Sequence, residues 1–413
     1  MIAKQKHPEL TADDVREIRD YIEHFWVNLT RYQPHDEDTL IGLPNPYLVP
    51  AHDPTNSFNF DELYYWDSYF MVQGMLKDLR HKELVMGVLE YLFSLLKRFK
   101  MIPNASRTYL MGRSQPPLLT SFIFDVYEAY GLDRRWLEQA IGHAQAEYQT
   151  VWMGDKKPFW HQVHEGLSRY YDINMLHDLA ETESGWDMTT RFDRRCLDFL
   201  PVDLNAYLYK YEMDFARAAE LLDKPEEKTM WEAAASKRKV AVDKLMWDDR
   251  AGLYFDYDFQ NNKRGKVASL ASYVPLWAGM ADDAQATKLI KSLDRFDCPG
   301  GWAATSNGRK LLQKPSSTPA QWAYPNGWAP LHFFVVEGLK RYDQYDVASI
   351  GVHRWLKTNL DWFTAHGVLL EKYNVAQPSK LPQEGVYPSQ TGFGWTNAVF
   401  ERFCQDFIDA NNK

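Results

Sequence analysis

Along most of this chain apolar residues recur at intervals of three and four, and the pattern breaks off repeatedly into stretches rich in Trp, Tyr, Pro and Asn. Val15, Ile18, Ile22, Phe25 and Leu29 mark the apolar face of a first helix, opened by Thr11 as a cap and by Asp13 and Asp14 at the positive end of its dipole. From Gln33 to Phe60 the period collapses, because Pro34, Pro44, Pro46, Pro50 and Pro54 forbid continuous helix. Helical periodicity then marks 66–77, 82–100, 118–130, 134–151, 203–222 and 225–247, the last with Pro225 in its first turn. Five further helices are predicted at 268–280, 282–293, 326–342, 346–365 and 395–410. A hairpin is expected within 248–262, with Leu253, Tyr254 and Phe255 as its apolar strand. The regions 152–201 and 371–393 read as largely irregular.

The result is twelve helices with no strands beyond small hairpins, joined alternately by short links and by long Gly/Pro/aromatic loops. Antiparallel helix pairs connected in this way close into a ring with the long loops on one face. An all-α fold is expected: an (α/α)6 toroid of six helical hairpins, formed by residues 1–413 as one domain.

Composition narrows the chemistry. The chain has 413 residues, and Trp, Tyr and Phe make up 15% of them, many in the polar loops, where flat rings suit the apolar faces of sugars. A formal net charge of −9 without a clustered basic surface excludes nucleic acid as the expected partner. Cys196, Cys298 and Cys404 are widely spaced and read as reduced thiols, and the N-terminal residues lack the apolar core of a secretory signal. With no apolar run of about 18 residues to span a membrane, a cytoplasmic protein is expected, and a monomer would suffice.

Six loop segments carry the candidate chemistry. Glu183-Ser184-Gly185-Trp186-Asp187, running on to Arg191, sets two acids and an indole around a glycine turn. Asp187 there is either a helix cap or a carboxyl whose pKa is raised against aromatic rings so that it serves as a general acid. Glu62 to Tyr69 joins Trp66 and Asp67 to three tyrosines, and Asp67 could equally cap a helix. Arg113-Ser114-Gln115, closed by two prolines, offers a fork, a hydroxyl and an amide suited to sugar hydroxyls, or an arginine paired with a neighbouring acid. Gln321 to Pro330, Leu369 to Tyr373 with Glu371, and Gly392 to Asn397 complete the set, with core and turn packing as their ordinary explanation. No histidine falls in these segments. His161 and His164 form the nearest approach to a metal pair and read as structural or surface residues, so no metal is expected. No glycine-rich phosphate loop follows a strand, so no nucleotide cofactor is expected either. Two carboxyls among aromatics and amides are the glycosidase arrangement.

These segments, in this order, resemble those of trehalases of glycoside hydrolase family 37, from about Phe60 to Asn397. The family's two signatures resemble the stretch around Arg113-Ser114-Gln115-Pro116-Pro117 and the stretch from Gln321 to Pro330. The resemblance implies an (α/α)6 barrel and cofactor-free hydrolysis with inversion. Asp187 would be the general acid and Glu371 the general base, with Lys372 able to help hold Glu371 charged. Trp66, Asp67, Asn104, Arg113, Ser114, Gln115 and Gly185 would contact a small sugar substrate, with α,α-trehalose expected first. Another α-glucoside, a sugar-binding protein with a degenerate site, and a histidine-dependent lyase or epimerase are the competing expectations. The binding shell departs from the family pattern. Asn59 replaces an arginine, Ala323 an aspartate and Val386 a glutamate. An Arg-Pro-Glu motif expected after Arg169 is missing, leaving Glu384 and Arg169 as candidate compensations.

Overall fold

The computed structural model describes residues 10–53, 59–155, 157, 159–307, 320–385 and 387–410, and among these are thirteen α-helices. They are α1 (Arg16–Leu29), α2 (Tyr65–Gln73), α3 (Lys82–Phe99), α4 (Leu119–Tyr130), α5 (Arg134–Glu147), α6 (His177–Glu183), α7 (Val202–Leu221), α8 (Pro225–Met246), α9 (Val274–Trp277), α10 (Asp283–Ser292), α11 (Ala329–Arg341), α12 (Tyr345–His366) and α13 (Gly394–Phe407). All but α6 correspond to the twelve periodic segments. The strands are two or three residues long, including the expected hairpin, in which Trp247–Asp248 pairs with Leu253–Tyr254.

Burial sorts the helices into two layers. Every residue of α2 is buried, as are most of α7, α11 and α13, whereas α1, α5 and α8 bury only a stripe. A helix apolar on all sides belongs inside, and one with a single apolar stripe belongs outside. The inner helices pack in sequence, α4 on α7, α7 on α9, α9 on α11, α11 on α13 and α13 on α2. The ring closes between α2 and α4, where the Gln73 amide donates to Asp125 at 2.8 Å and the rings of Tyr69 and Phe122 lie 6.3 Å apart. The outer helices α1, α3, α5, α8 and α12 back this ring, giving the expected (α/α)6 barrel. One apolar cluster runs from Val15 to Ile408, so the two ends of the chain share a core.

Several expectations need correction. Thr11 does not cap α1. Its amide and hydroxyl both donate to Asp14, at 2.8 and 2.7 Å, forming a separate turn before the helix starts at Arg16. The helix expected to reach 151 becomes a π-helical turn over Tyr148–Trp152. The segment 268–280 is helical only over Leu270–Tyr273 as a 3-10 turn and over α9, and Asn326–Trp328 is a strand leading into α11. Within 152–201, read as largely irregular, α6 forms a short extra helix whose period is too brief to show in sequence.

Candidate active site

Inner helices α2, α11 and α13 begin at one end of the barrel, where their N-termini and the preceding loops enclose a cavity of about 360 Å³. Trp66 and Asp67 enter it from the first turn of α2, and Trp395 from that of α13. Helix N-termini favour negative charge, so this end is suited to buried carboxylates. The loop before α4 supplies Gln115, whose side-chain oxygen accepts from the Trp66 amide at 3.0 Å. Asn104 donates to the carbonyl oxygens of Ser114 at 3.0 Å and Thr182 at 3.4 Å, tying that loop to the last residues of α6 and so to the turn that follows it.

That turn presents Asp187. Gly185 sits at φ +72, and a Cβ there would lie 2.5 Å from the Trp66 indole, so glycine is required both by conformation and by space. Asp187 caps no helix. Its backbone carbonyl accepts from the Gln321 amide at 2.5 Å, and the next peptide carbonyl, of Met188, accepts from the Trp322 amide at 3.0 Å. Trp322 stacks on Trp328 at 3.7 Å, and its ring centroid lies 5.6 Å from that of Trp66. Arg191 does not serve Asp187: it is fully buried between Asp203 and Asp256, at 2.7 Å from each. Withdrawn from water and facing the Glu371 carboxylate, with Arg113 and Lys372 only partly offsetting, the Asp187 carboxyl is pushed up to about 7. Asp67 is pushed well above the carboxylate range by its own burial and by the charges of Asp187 and Glu371.

Glu371 precedes the strand Lys372–Asn374, which pairs antiparallel with Asn326–Trp328 and carries it to the base of the site. Its carboxylate is completely buried. Lys372 Nζ lies 2.7 Å from Oε2, and the Tyr387 hydroxyl donates to Oε1, also at 2.7 Å. The Trp395 indole and the Thr396 hydroxyl donate to its backbone carbonyl at 3.0 and 3.3 Å, pinning the residue from the α13 side.

The expected residues thus separate into three groups. Trp66, Asp67, Asn104, Gln115, Gly185 and Asp187 line the cavity together. Glu371 lies behind Tyr387, which does line it. Arg113 and Ser114 face a different cavity of about 390 Å³. Arg113 donates to Asp172 at 2.9 Å, which is the acid-paired alternative recognised in the sequence, and the Ser114 hydroxyl donates to the Ile102 carbonyl at 2.7 Å. Asn59 accepts from the Asp53 amide at 2.8 Å, and Ala323 is buried. Arg169 spends its guanidinium on the carbonyls of Trp160, Leu197 and Phe159, so it supplies no charge to the cavity, and Glu384 is exposed. Val386 lies outside the described residues.

Tyr387, which lines the cavity, and Gln321, whose side-chain amide holds the Asp187 carbonyl, are not singled out by the sequence, although both stand inside or beside the aromatic segments. What would have revealed them is contact across sequence distance, which no local pattern encodes. His161 proves structural: it is buried, with Nε2 3.0 Å from the Glu183 carboxylate, and that carboxylate also accepts from the amides of Ser114 and Tyr171. Among the described residues no histidine lines the cavity, and the one cluster of metal-ligating type is Glu23, Asp78 and His81, at none of the cavity positions. No helix of the described residues is long and apolar enough to cross a membrane.

Comparison with known proteins gives a consistent picture. The model of the Trehalase family matches residues 2–173 and 154–407. The neutral trehalase Nth1 from Saccharomyces cerevisiae is similar in structure with a TM-score of 0.76 and 28% identity, over 97% of this chain and 80% of that one. The GH63 mannosylglycerate hydrolase of Thermus thermophilus, in complex with glucose, has a TM-score of 0.69 at 19% identity, over 92% of this chain and 99% of the other, a likeness of fold. A rhamnosidase from Klebsiella oxytoca shares the fold more distantly, with a TM-score of 0.59 at 12% identity, over 98% of this chain and 65% of that one.

Proposed function

Because the chain belongs to the trehalase family and is therefore a glycoside hydrolase, we propose that it cleaves an α-glucosidic bond with inversion, and that α,α-trehalose is its substrate. Asp187 is the general acid. A carboxyl with a pKa near 7 is still protonated in a large share of molecules at neutral pH and can release that proton to a departing glycosidic oxygen. Glu371, paired with Lys372, is the carboxylate on the other side of the reaction, taking a proton from the attacking water. Inversion calls for about 6.5–9.5 Å between the two carboxyls, leaving room for that water. The aromatic wall of Trp66, Trp322, Phe393 and Trp395 would receive the apolar face of a sugar ring, and Asp67, Asn104 and Gln115 its hydroxyls. The observation that carries this reading is the half-buried Asp187 on the aromatic wall of the cavity, its carboxyl raised and within Coulombic reach of Glu371, which Lys372 and Tyr387 clamp.

One observation favours a second substrate within the same chemistry. Arg113 is committed to Asp172, Arg169 to backbone carbonyls, and Ala323 carries no charge, so the shell that would read the hydroxyls of a second glucose is depleted. A site with fewer hydrogen bonds to its substrate discriminates less. Another disaccharide or a glucosylated small solute is therefore the alternative. A panel of α-glucosides, assayed for glucose release, separates the two. Trehalose turning over with the highest kcat/KM supports the first reading, and a larger value for another α-glucoside replaces it with the second.

A further inference from the structure

The Glu371 carboxylate stands back from the wall of the substrate cavity. It is completely buried and absent from the cavity wall, its Oε2 is occupied by Lys372 and its Oε1 by the Tyr387 hydroxyl. Tyr387, by contrast, forms part of that wall. A water in the cavity therefore meets the phenolic oxygen before it can meet the carboxylate. We propose that Tyr387 relays the proton from the attacking water to Glu371, so that the group touching the water is a tyrosine and the carboxylate is the terminal acceptor. This rests on the glycosidase reading given above.

The surroundings of Tyr387 suit a hydroxyl that accepts one proton while it gives up another. The Gln321 side-chain amide, which holds the backbone carbonyl of Asp187 at 2.5 Å, also favours negative charge on the Tyr387 oxygen, linking the relay to the acid. Lys372 Nζ lies 5.5 Å from the centre of the phenol ring, so positive charge is at hand for oxygen density developing on either Tyr387 or Glu371. A phenolic oxygen has lone pairs enough to accept from an amide and from a water at once.

The step balances without any further reactant. The water oxygen bonds to the anomeric carbon as the glycosidic carbon–oxygen bond breaks. The water proton passes to Tyr387 Oη as the Tyr387 proton passes to Glu371 Oε1, and the Asp187 proton goes to the departing oxygen. Tyr387 ends as it began, Glu371 is protonated and Asp187 is ionised, and exchange with solvent restores both carboxyls. A hydrogen bond of 2.7 Å between Tyr387 and Glu371 is already of the length such a transfer uses.

Tyr387→Phe keeps the ring and removes the hydroxyl. On the glucoside that wild type cleaves best, the relay predicts that kcat falls about 10²–10⁴-fold, the range for loss of general base catalysis, while KM changes by less than about fivefold. Azide needs no base, so millimolar azide restores turnover in Tyr387→Phe and in Glu371→Gln, giving a glucosyl azide of inverted anomeric configuration. It does not restore Asp187→Asn on a glucoside with a poor leaving group. Azide rescue marks impaired base chemistry in either case, so the size of the loss separates the roles: a residue that only orients Glu371 leaves the carboxylate able to take the proton directly, and kcat then stays within about tenfold of wild type. The proposal is overturned if Tyr387→Phe keeps kcat within tenfold of wild type, or loses activity that azide does not restore while its circular dichroism and thermal midpoint match wild type. Wild-type protein inactive on every glucoside would overturn the hydrolase reading and the relay together, whereas an active wild type with an active Tyr387→Phe removes the relay alone.

Discussion

Asp187 and Glu371 are both carboxyls enclosed by protein, and their neighbours suit them to the opposite tasks of the proposed mechanism. Asp187 has aromatic walls, a backbone held by Gln321 and no cation in contact, so burial dominates and the proton is retained to about pH 7. Glu371 has Lys372 at 2.7 Å. Because the acid must carry its proton to act, turnover should decline as pH rises through about 7, with full donor competence below it. A kcat profile measured from pH 5 to 9 checks this, and a profile flat across that limb would remove Asp187 from the role. Asp187→Asn should lower kcat by about 10²–10⁴-fold with its thermal midpoint close to wild type. Gly185→Ala combines an unfavourable backbone with a Cβ 2.5 Å from Trp66, so it should cost about 1–3 kcal/mol and displace the acid, read as lower activity and an earlier urea midpoint. That Asp187 stands at the cavity was legible from its place among ordered aromatic loops. The presentation of Arg113 was not, because only the folded chain brings Asp172 within 2.9 Å of it.

At the level of elements, the loop carrying Asp187 is anchored at both ends by buried polar side chains. Upstream, Glu181 at the end of α6 accepts from the Thr189 amide at 2.6 Å. Downstream, Arg191 joins Asp203 of α7 to Asp256, with its guanidinium 4.5 Å from the Trp186 ring. Replacing Arg191 by Met would leave two buried carboxylates unpaired, and removing one partner from such a group costs about 3–5 kcal/mol. Chemical denaturation of Arg191→Met should show a loss of that size. A change below about 1 kcal/mol would mean that water reaches the two acids. Sequence periodicity located the long helices to within a few residues because each buries a continuous stripe. It missed α6, too short for a period, and it extended α9, where Pro275 and the packing of Trp277 against Phe334 shape the segment instead. The anchoring acids were unreadable for the same reason as Tyr387: their partners are distant in sequence.

For the molecule as a whole, folding into a barrel encloses many carboxyls, and this sets its response to pH. Burial lifts Asp125 to about 6, Glu147 and Asp187 to about 7 and Glu181 to about 8. A carboxyl raised on folding binds its proton more tightly in the native state, so the stability it contributes is complete at low pH and is lost as pH climbs through the folded value. His332, lowered to about 3 by burial, works in the opposite sense, but only below the usual histidine range. Paired acids such as Asp36 and Asp78, held near 2 by Arg98 and Arg80, are ionised in both states by neutral pH. The thermal midpoint should therefore fall between pH 6.5 and 8.5, as scanning calorimetry at the two values will show. A rise would mean that the enclosed carboxyls are hydrated. The ring itself was the most legible feature, since alternating short and long links already imply hairpins closed on one another, and the contact of α13 with α2 is that closure. The central claim is that this barrel holds an acid and a base on opposite faces of one glycosidic bond. It is tested most directly by following α,α-trehalose hydrolysis by proton NMR before mutarotation. Inversion predicts α- and β-glucose appearing in equal amounts from the first minutes. Release of α-glucose alone would contradict it.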